Sequence, residues 1–318
     1  MAGDSVGHAP QTNSGHAEQG PLHGPLPDRS TLPGKLVFAI AVAFSAFQIW
    51  TAAFTPLSSL VVRSFHVGFL LLLTYALCAA LRPGRAAAAR DWVLGIVAFA
   101  LGTYHWIFEE DILLRAGWPS TTDLVVGFVM VALVFEAARR VMGIALPVIC
   151  ALFLGYALFG EYLPYPLDHR GFGADQVVDH MFLGTEGIFG TPVFVSSTYI
   201  FLFILFGSFL ERAGMISLFT DLAMGTVGHT RGGPAKVAVV SSALMGTING
   251  SGVANVVTTG QFTIPLMKRS GFRPAFAGAV EATASMGGQI MPPVMGAVAF
   301  IMAETINVPY VEVVQAAI

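Results

Sequence analysis

The chain has 318 residues, 55% of them hydrophobic and 11% charged, and a formal net charge of −3. An ordinary soluble domain carries about a quarter charged residues, so a chain this apolar is solvated mainly by lipid. The small net charge, with basic residues in short clusters between apolar runs, excludes a nucleic-acid footprint, and the two cysteines, Cys78 and Cys150, lie inside apolar stretches, which leaves no disulfide framework and no cysteine-based metal site.

Residues 1–34 are rich in Pro and Gly and carry His8, His16 and His23. Such a segment cannot bury a core, so a disordered cytoplasmic N-terminus is expected. No apolar signal-peptide core precedes Leu36. A membrane-spanning helix needs about 20 largely apolar residues, and runs of that kind lie near 36–56, 65–81, 92–108, 122–138, 144–160 and 192–210. Trp50, Trp92 and Trp106 fall at the ends of these spans, with Trp118 in a following loop, as an interfacial aromatic belt requires. In 213–234, Ile216, Phe219, Leu222 and Val227 recur at helical spacing, which predicts either an amphipathic interfacial helix or a connecting helix packed on the bundle.

The next two segments differ in kind. Residues 236–268 are apolar but interrupted at Gly250-Ser251-Gly252, and 274–303 are interrupted at Gly287-Gly288-Gln289 and Pro292-Pro293. With the N-terminus cytoplasmic and 236–268 re-entrant, only Arg63, Arg115 and Arg170 fall outside, as the positive-inside rule demands. Were 236–268 a full crossing, Lys268, Arg269 and Arg273 would move outside as well. Irregular backbone is tolerated at membrane depth only where protein or a water-filled cavity satisfies it, so the two breaks point to a buried polar site. Thr247, Asn249, Gly250, Ser251, Gly252 and Asn255 supply neutral oxygens and amides around a tight reversal. Half-helices meeting there offer carbonyls to a cation and N–H groups to an anion, and the same logic holds at Ser285, Met286, Gly287, Gly288, Gln289 and Pro292.

Glu281 is the one carboxylate well inside a late span. It carries either a coupling proton or a hydrogen-bonded structural role, and the sequence leaves both open. Glu136 with Arg139 and Arg140 reads as a local ion pair at i,i+3 and i,i+4 spacing. His105, Glu109, Glu110 and Asp111 read as a solvated periplasmic end. All eight histidines precede Thr230, so Ser251 has no base for a hydrolase and the chain is not expected to be an enzyme.

Four late stretches, Arg231–Lys236, Gly246–Asn255, Thr263–Arg269 and Gly287–Gly296, together resemble the fused 4TM/12TM permeases of tripartite ATP-independent periplasmic (TRAP) transporters of the TAXI type. The resemblance runs from about Lys35 and is dense from Gly184. It implies an all-α polytopic fold with a re-entrant hairpin and a broken helix, the first half of an inverted-repeat, elevator-type transport domain. Its expected parts are a small-subunit-like scaffold over 35–143, connecting spans and a cytoplasmic arm over 144–234, and the start of the transport domain over 235–318. The implied function is uptake of a small organic anion such as a carboxylate, delivered by a TAXI-type periplasmic binding protein across the bacterial inner membrane. No cofactor is implied, and the coupling cation is sodium or a proton. A second hairpin and second broken helix are missing before Ile318, so the chain is expected to be incomplete and unable to transport alone. The alternative is an inactive or regulatory scaffold remnant.

Overall fold

The computed structural model describes residue 27 and residues 30–81, 84–115 and 117–318. The expected disordered stretch lies almost wholly outside the described residues, with His8, His16 and His23, and so do Arg29 and Arg82 of the orientation reading. Among the described residues every regular element is a helix, and the chain is a polytopic membrane helix bundle.

The first three apolar runs fold as Leu32–Phe54 (α1), Ser59–Leu81 (α2) and Arg85–Gly102 (α3). Helix α1 begins ahead of the expected boundary at Lys35, because Pro33 in a first turn forfeits no intrahelical hydrogen bond. Tyr104–Ile107 (α4) and Glu109–Leu114 (α5) are short turns before Thr121–Met142 (α6) and Ala145–Phe159 (α7). A capping box fixes the start of α6: Asp123 N–H donates to Ser120 Oγ at 3.2 Å, and Ser120 N–H donates to Asp123 Oδ2 at 2.7 Å. Gly143, at φ +82°, ends it. After Ala174–Val178 (α8) comes the last long span, Thr191–Val195 (α9), a π-helical turn over Ser196–Ile200, and Phe201–Arg212 (α10).

Among the described residues, five stretches are long and apolar enough to cross a bilayer: Leu32–Phe54, Ser59–Leu81, Arg85–Ile107, Ala145–Tyr162 and Thr191–Arg212. The sixth expected span, α6, is 22 residues long but carries Asp123, Glu136, Arg139 and Arg140 at its two ends. No residue of α7 is buried, and Leu152, Phe153 and Phe159 all face outward. Water would penalise such a surface, whereas hydrocarbon accommodates it.

Two compact units share the described residues, one built from those within 1–40, 68–101 and 115–179, the other from those within 41–67, 102–114 and 180–318. In the first, Tyr75 of α2 is fully buried and its hydroxyl donates to Leu133 O of α6 at 2.8 Å. Arg140 lies over the Tyr75 ring and reaches Asp91 of α3 at 2.8 Å as well as Glu136 at 2.7 Å. The Glu136–Arg139–Arg140 cluster is therefore more than the expected local pair. Asp91 and Arg140 are both buried, so removing either partner strands the other's charge in low dielectric.

In the second unit His105 corrects the sequence reading. It is 1% exposed rather than solvated, with Nδ1 3.1 Å from Ser64 Oγ and Nε2 3.0 Å from Phe182 O. The ring sits edge-on to Phe182 and Phe189, which a loop residue at a helix end could not have announced. Met215–Val227 (α11) then packs as a connecting helix on Gly233–Asn249 (α12). Gly252–Arg269 (α13) returns antiparallel to α12, and Pro274–Gly287 (α14) packs on both. Ala238, Met267 and Ala277 form the dry root of this trio. The expected hairpin and broken helix are thus both present. Residues 288–296 leave the helix, Ala297–Ile306 (α15) resumes it, and Tyr310–Ala316 (α16) turns away by 118°.

Small residues let the two breaks meet. A Cβ on Gly246 of α12 would lie 2.2 Å from Gly288 Cα, so the hairpin and the end of α14 touch backbone to backbone. Gly246→Val should therefore destabilise the protein by about 1–3 kcal/mol or more through overpacking. Gly278→Ala, whose added Cβ meets nothing within 4 Å, should leave stability unchanged or slightly raised. Thermal unfolding in detergent checks both.

Candidate functional site

The hairpin tip is built by two caps. Gly250 takes φ +58° and its N–H donates to Gly246 O at 3.1 Å, ending α12 in the left-handed conformation that glycine adopts without strain. Ser251 caps α13 by accepting from Ala254 N–H at 3.3 Å, and Asn249 Oδ1 accepts from Ser251 N–H at 3.2 Å. The hairpin arms therefore turn within two residues, α12 ending at Asn249 and α13 starting at Gly252.

Against this tip lies the unwound stretch after α14. Gly296 N–H donates to Gln289 O at 2.6 Å and closes 289–296 into a loop, and the Tyr310 hydroxyl lies 2.5 Å from Val294 O and 3.1 Å from Pro293 O. Those contacts supply partners for carbonyls that a helix would otherwise satisfy. Between tip and loop is an open cavity of about 670 Å³. Asn249, Gly250, Ser251 and Gln289 form its polar wall, and Ile200, Phe203, Ile290, Val298 and Phe300 form its apolar one. The first residues of α15, Ala297 and Val298, border it, as does the N-cap of α13, so two positive helix ends open onto the same space. Asn249 borders the cavity, while its Nδ2 is buried and has no hydrogen-bond partner among the described residues.

The remaining expected site residues divide. Gly252 lets the breaks close up, since a Cβ there would lie 2.6 Å from Met286 Sδ and 3.1 Å from Gln289 Nε2. Gly288 packs on Gly246, and Gly287 borders a separate groove with Val239 and Phe276. The Thr247 hydroxyl turns back to Leu244 O at 2.6 Å, and neither Thr247 nor Pro292 lines the cavity. Asn255 and Ser285 belong to a second cluster, centred on Glu281.

Glu281 is fully buried. Its Oε1 lies 2.9 Å from Ser242 Oγ, 2.5 Å from Thr259 Oγ1 and 3.0 Å from Ser285 Oγ, while Oε2 is hydrogen-bonded to Thr263 Oγ1. Gly260 makes room, because a Cβ there would come 3.2 Å from Glu281 Cγ. Asn255 Nδ2 donates to Ser242 O at 2.7 Å and ties the two hairpin arms together at the same level. Sequence reasoning missed Ser242, Thr259 and Thr263. The signal was present on α13, where Asn255, Thr259 and Thr263 recur every four residues and so stripe one face of an apolar helix. Ser242 carried no such mark, being one small residue among many on α12.

Residues 129–318 match the DctM component of the tripartite ATP-independent periplasmic transporters. That match covers well over half of the sequence, and the chain belongs to this family of membrane permeases. Among curated relatives, the C4-dicarboxylate TRAP transporter large permease protein DctM of Pseudomonas aeruginosa is 36% identical over 91 residues, 29% of this chain and 21% of that protein. The protein of the same name from Vibrio cholerae is 28% identical over 178 residues, 56% of this chain and 37% of that one. The sialic acid TRAP transporter large permease protein SiaM of Vibrio cholerae is 30% identical over 91 residues, 29% of this chain and 21% of that one. The matches thus span only about a fifth to a little over a third of these relatives' length. No solved structure matches.

Removing the tie between the hairpin arms should be costly. Asn255→Ala deletes the buried donor to Ser242 O and should lower stability by about 1–3 kcal/mol. Chemical or thermal unfolding of the purified protein reads the loss, and an unchanged midpoint would contradict the role given to Asn255.

Proposed function

We propose that the chain is the permease part of a secondary active, ion-coupled importer of small organic anions such as carboxylates, fed by a periplasmic binding protein. It lies in the bacterial inner membrane with its N-terminus cytoplasmic, and the coupling cation is sodium or a proton. The observation that carries this reading is the cavity between the hairpin tip and the unwound stretch, bordered by two helix N-termini, Asn249 and Gln289. N–H groups at helix starts favour the negative end of a carboxylate, and side-chain amides add donors without the desolvation cost of a buried cation. An apolar wall opposite suits the organic body of the solute.

The four motif stretches support the finer reading of a fused, TAXI-type permease with an elevator mechanism. The relatives' names, which specify C4-dicarboxylates and sialic acid, support an organic acid as cargo. In this reading the trio α12–α14 moves with the solute, and the helices of 35–143 form the static scaffold. The family match and the relatives' names, all of them permeases, support a role in transport rather than catalysis.

Uptake into vesicles by the full-length protein with its binding protein, driven by an imposed cation gradient, tests the reading. Asn249→Ala and Gln289→Ala should each lower the uptake efficiency by about tenfold, the scale of one hydrogen bond to a charged group. Full uptake by the double variant would remove the cavity from the transport path.

A further inference from the structure

The Glu281 cluster lies outside the cavity wall and asks for its own account. A lone carboxylate buried in low dielectric is costly unless it is paired or neutralised. Among the described residues no Lys, Arg or His lies within ion-pair distance of it. The titratable groups on the helices packed against it are Lys236 at the start of α12 and Lys268 and Arg269 at the end of α13. At about 1.5 Å rise per residue these stand roughly 7–9 Å along the helix from the nearest caging hydroxyls, Thr263 and Ser242. On α14 itself no other side chain titrates, and Arg273 precedes its first turn.

The cage is also compact. A cation of the radius of Ca²⁺ or Na⁺ sits about 2.3–2.6 Å from each oxygen and holds its ligands apart around it. Here the hydroxyl oxygens are already in direct hydrogen-bond contact with the carboxylate, three of them on one oxygen. Both carboxylate oxygens are thus taken up by hydroxyl partners.

What makes the site reversible is a second set of acceptors. Thr259 Oγ1 lies 2.8 Å from Asn255 O as well as beside Glu281, Thr263 Oγ1 lies 3.1 Å from Thr259 O, and Ser242 Oγ lies 3.0 Å from Thr259 Oγ1. Each hydroxyl has one proton and rotates freely about its C–O bond. With Glu281 ionised, all four hydroxyls donate to it. With Glu281 neutral, its own O–H donates to a neighbouring hydroxyl oxygen, and Thr259 and Thr263 turn to the backbone carbonyls. Neither state leaves a buried polar group without a partner.

We propose that Glu281, caged by Ser242, Thr259, Thr263 and Ser285, is a proton-binding site that loads and unloads during the transport cycle. This deepens the transport reading above and rests on it for the cycle. The only bond made or broken is the carboxyl O–H, with the proton taken from water on one side of the membrane and returned on the other. The four hydroxyls are positioning residues, and they come from both hairpin arms and α14, so the proton's arrival is registered by all three moving helices.

Infrared difference spectroscopy of the full-length protein in lipid bilayers, taken between acid and alkaline pH, tests the site without requiring transport. A protonated-carboxyl carbonyl band should appear at acid pH, disappear reversibly at alkaline pH, and be missing from Glu281→Gln. Thr263→Val and Ser285→Ala each remove a donor to the anion, and each should shift the titration to higher pH, by about tenfold in proton concentration. These two variants keep the test open should Glu281→Gln not fold. A band absent at every pH, a band that no pH removes, or a titration indifferent to both hydroxyl variants would overturn the proposal. Titration of Glu281 together with failed uptake would instead overturn the transport reading and leave the proton site standing. Uptake driven by sodium alone, with Glu281 never protonated, would do the reverse.

Discussion

In hydrocarbon every backbone N–H and C=O needs a partner from the protein, and that constraint governs the last third of this chain. Two breaks in helical structure, at 250–251 and 288–296, coexist because each supports the other. Gly246 meets Gly288 backbone to backbone, and Gly250 sits so close beneath Met295 that a Cβ there would lie 1.8 Å from its carbonyl oxygen. A side chain at any of these places would force the breaks apart. The cavity exists because the two irregular stretches close against each other on one side only, leaving donors and helix ends unspent on the other.

The trio α12–α14 separates its two polar functions by depth. Near the tip the groups are backbone termini and amides, suited to holding an anion's oxygens. Two turns deeper the groups are hydroxyls around a single carboxylate, suited to a proton. Between them Asn255 clamps one arm to the other, and Gly260 lets Glu281 enter the hairpin. The cavity wall and the Glu281 cage thus share the hairpin of α12 and α13.

The sequence disclosed those features that are local. Long apolar runs announced α1 to α3, α7 and the α9–α10 span, and the Gly and Pro clusters announced both breaks, since only such residues interrupt a membrane helix where a site needs it. Local polarity also picked out Asn249, Ser251 and Gln289, which line the cavity together. What stayed hidden depends on partners distant in the chain. Asp91 goes unremarked in the sequence until Arg140 is brought to it, and His105 reads as solvated until Ser64 and Phe182 enclose it. Ser242 is 39 residues from Glu281 in sequence, and nothing in its own neighbourhood marks it as a carboxylate partner. Thr247 misled for the opposite reason, because a hydroxyl inside a helix satisfies itself on the preceding turn.

The family match establishes a TRAP-type permease component, and the hairpin tip and the unwound stretch meet around one cavity within the matched residues. The most direct measurement of that meeting is a disulfide between Gly252→Cys and Met286→Cys, in a background where the exposed native Cys150 is replaced by Ser. A Cβ at position 252 would lie 3.2 Å from Met286 Cα, and replacing Met286 removes the Sδ that it would otherwise meet. Mild oxidation of the full-length protein in membranes should join the two positions rapidly. Failure to form the bond, with both cysteines reactive toward a small thiol reagent, would show that the tip and the unwound helix do not meet, and the site described here would be wrong.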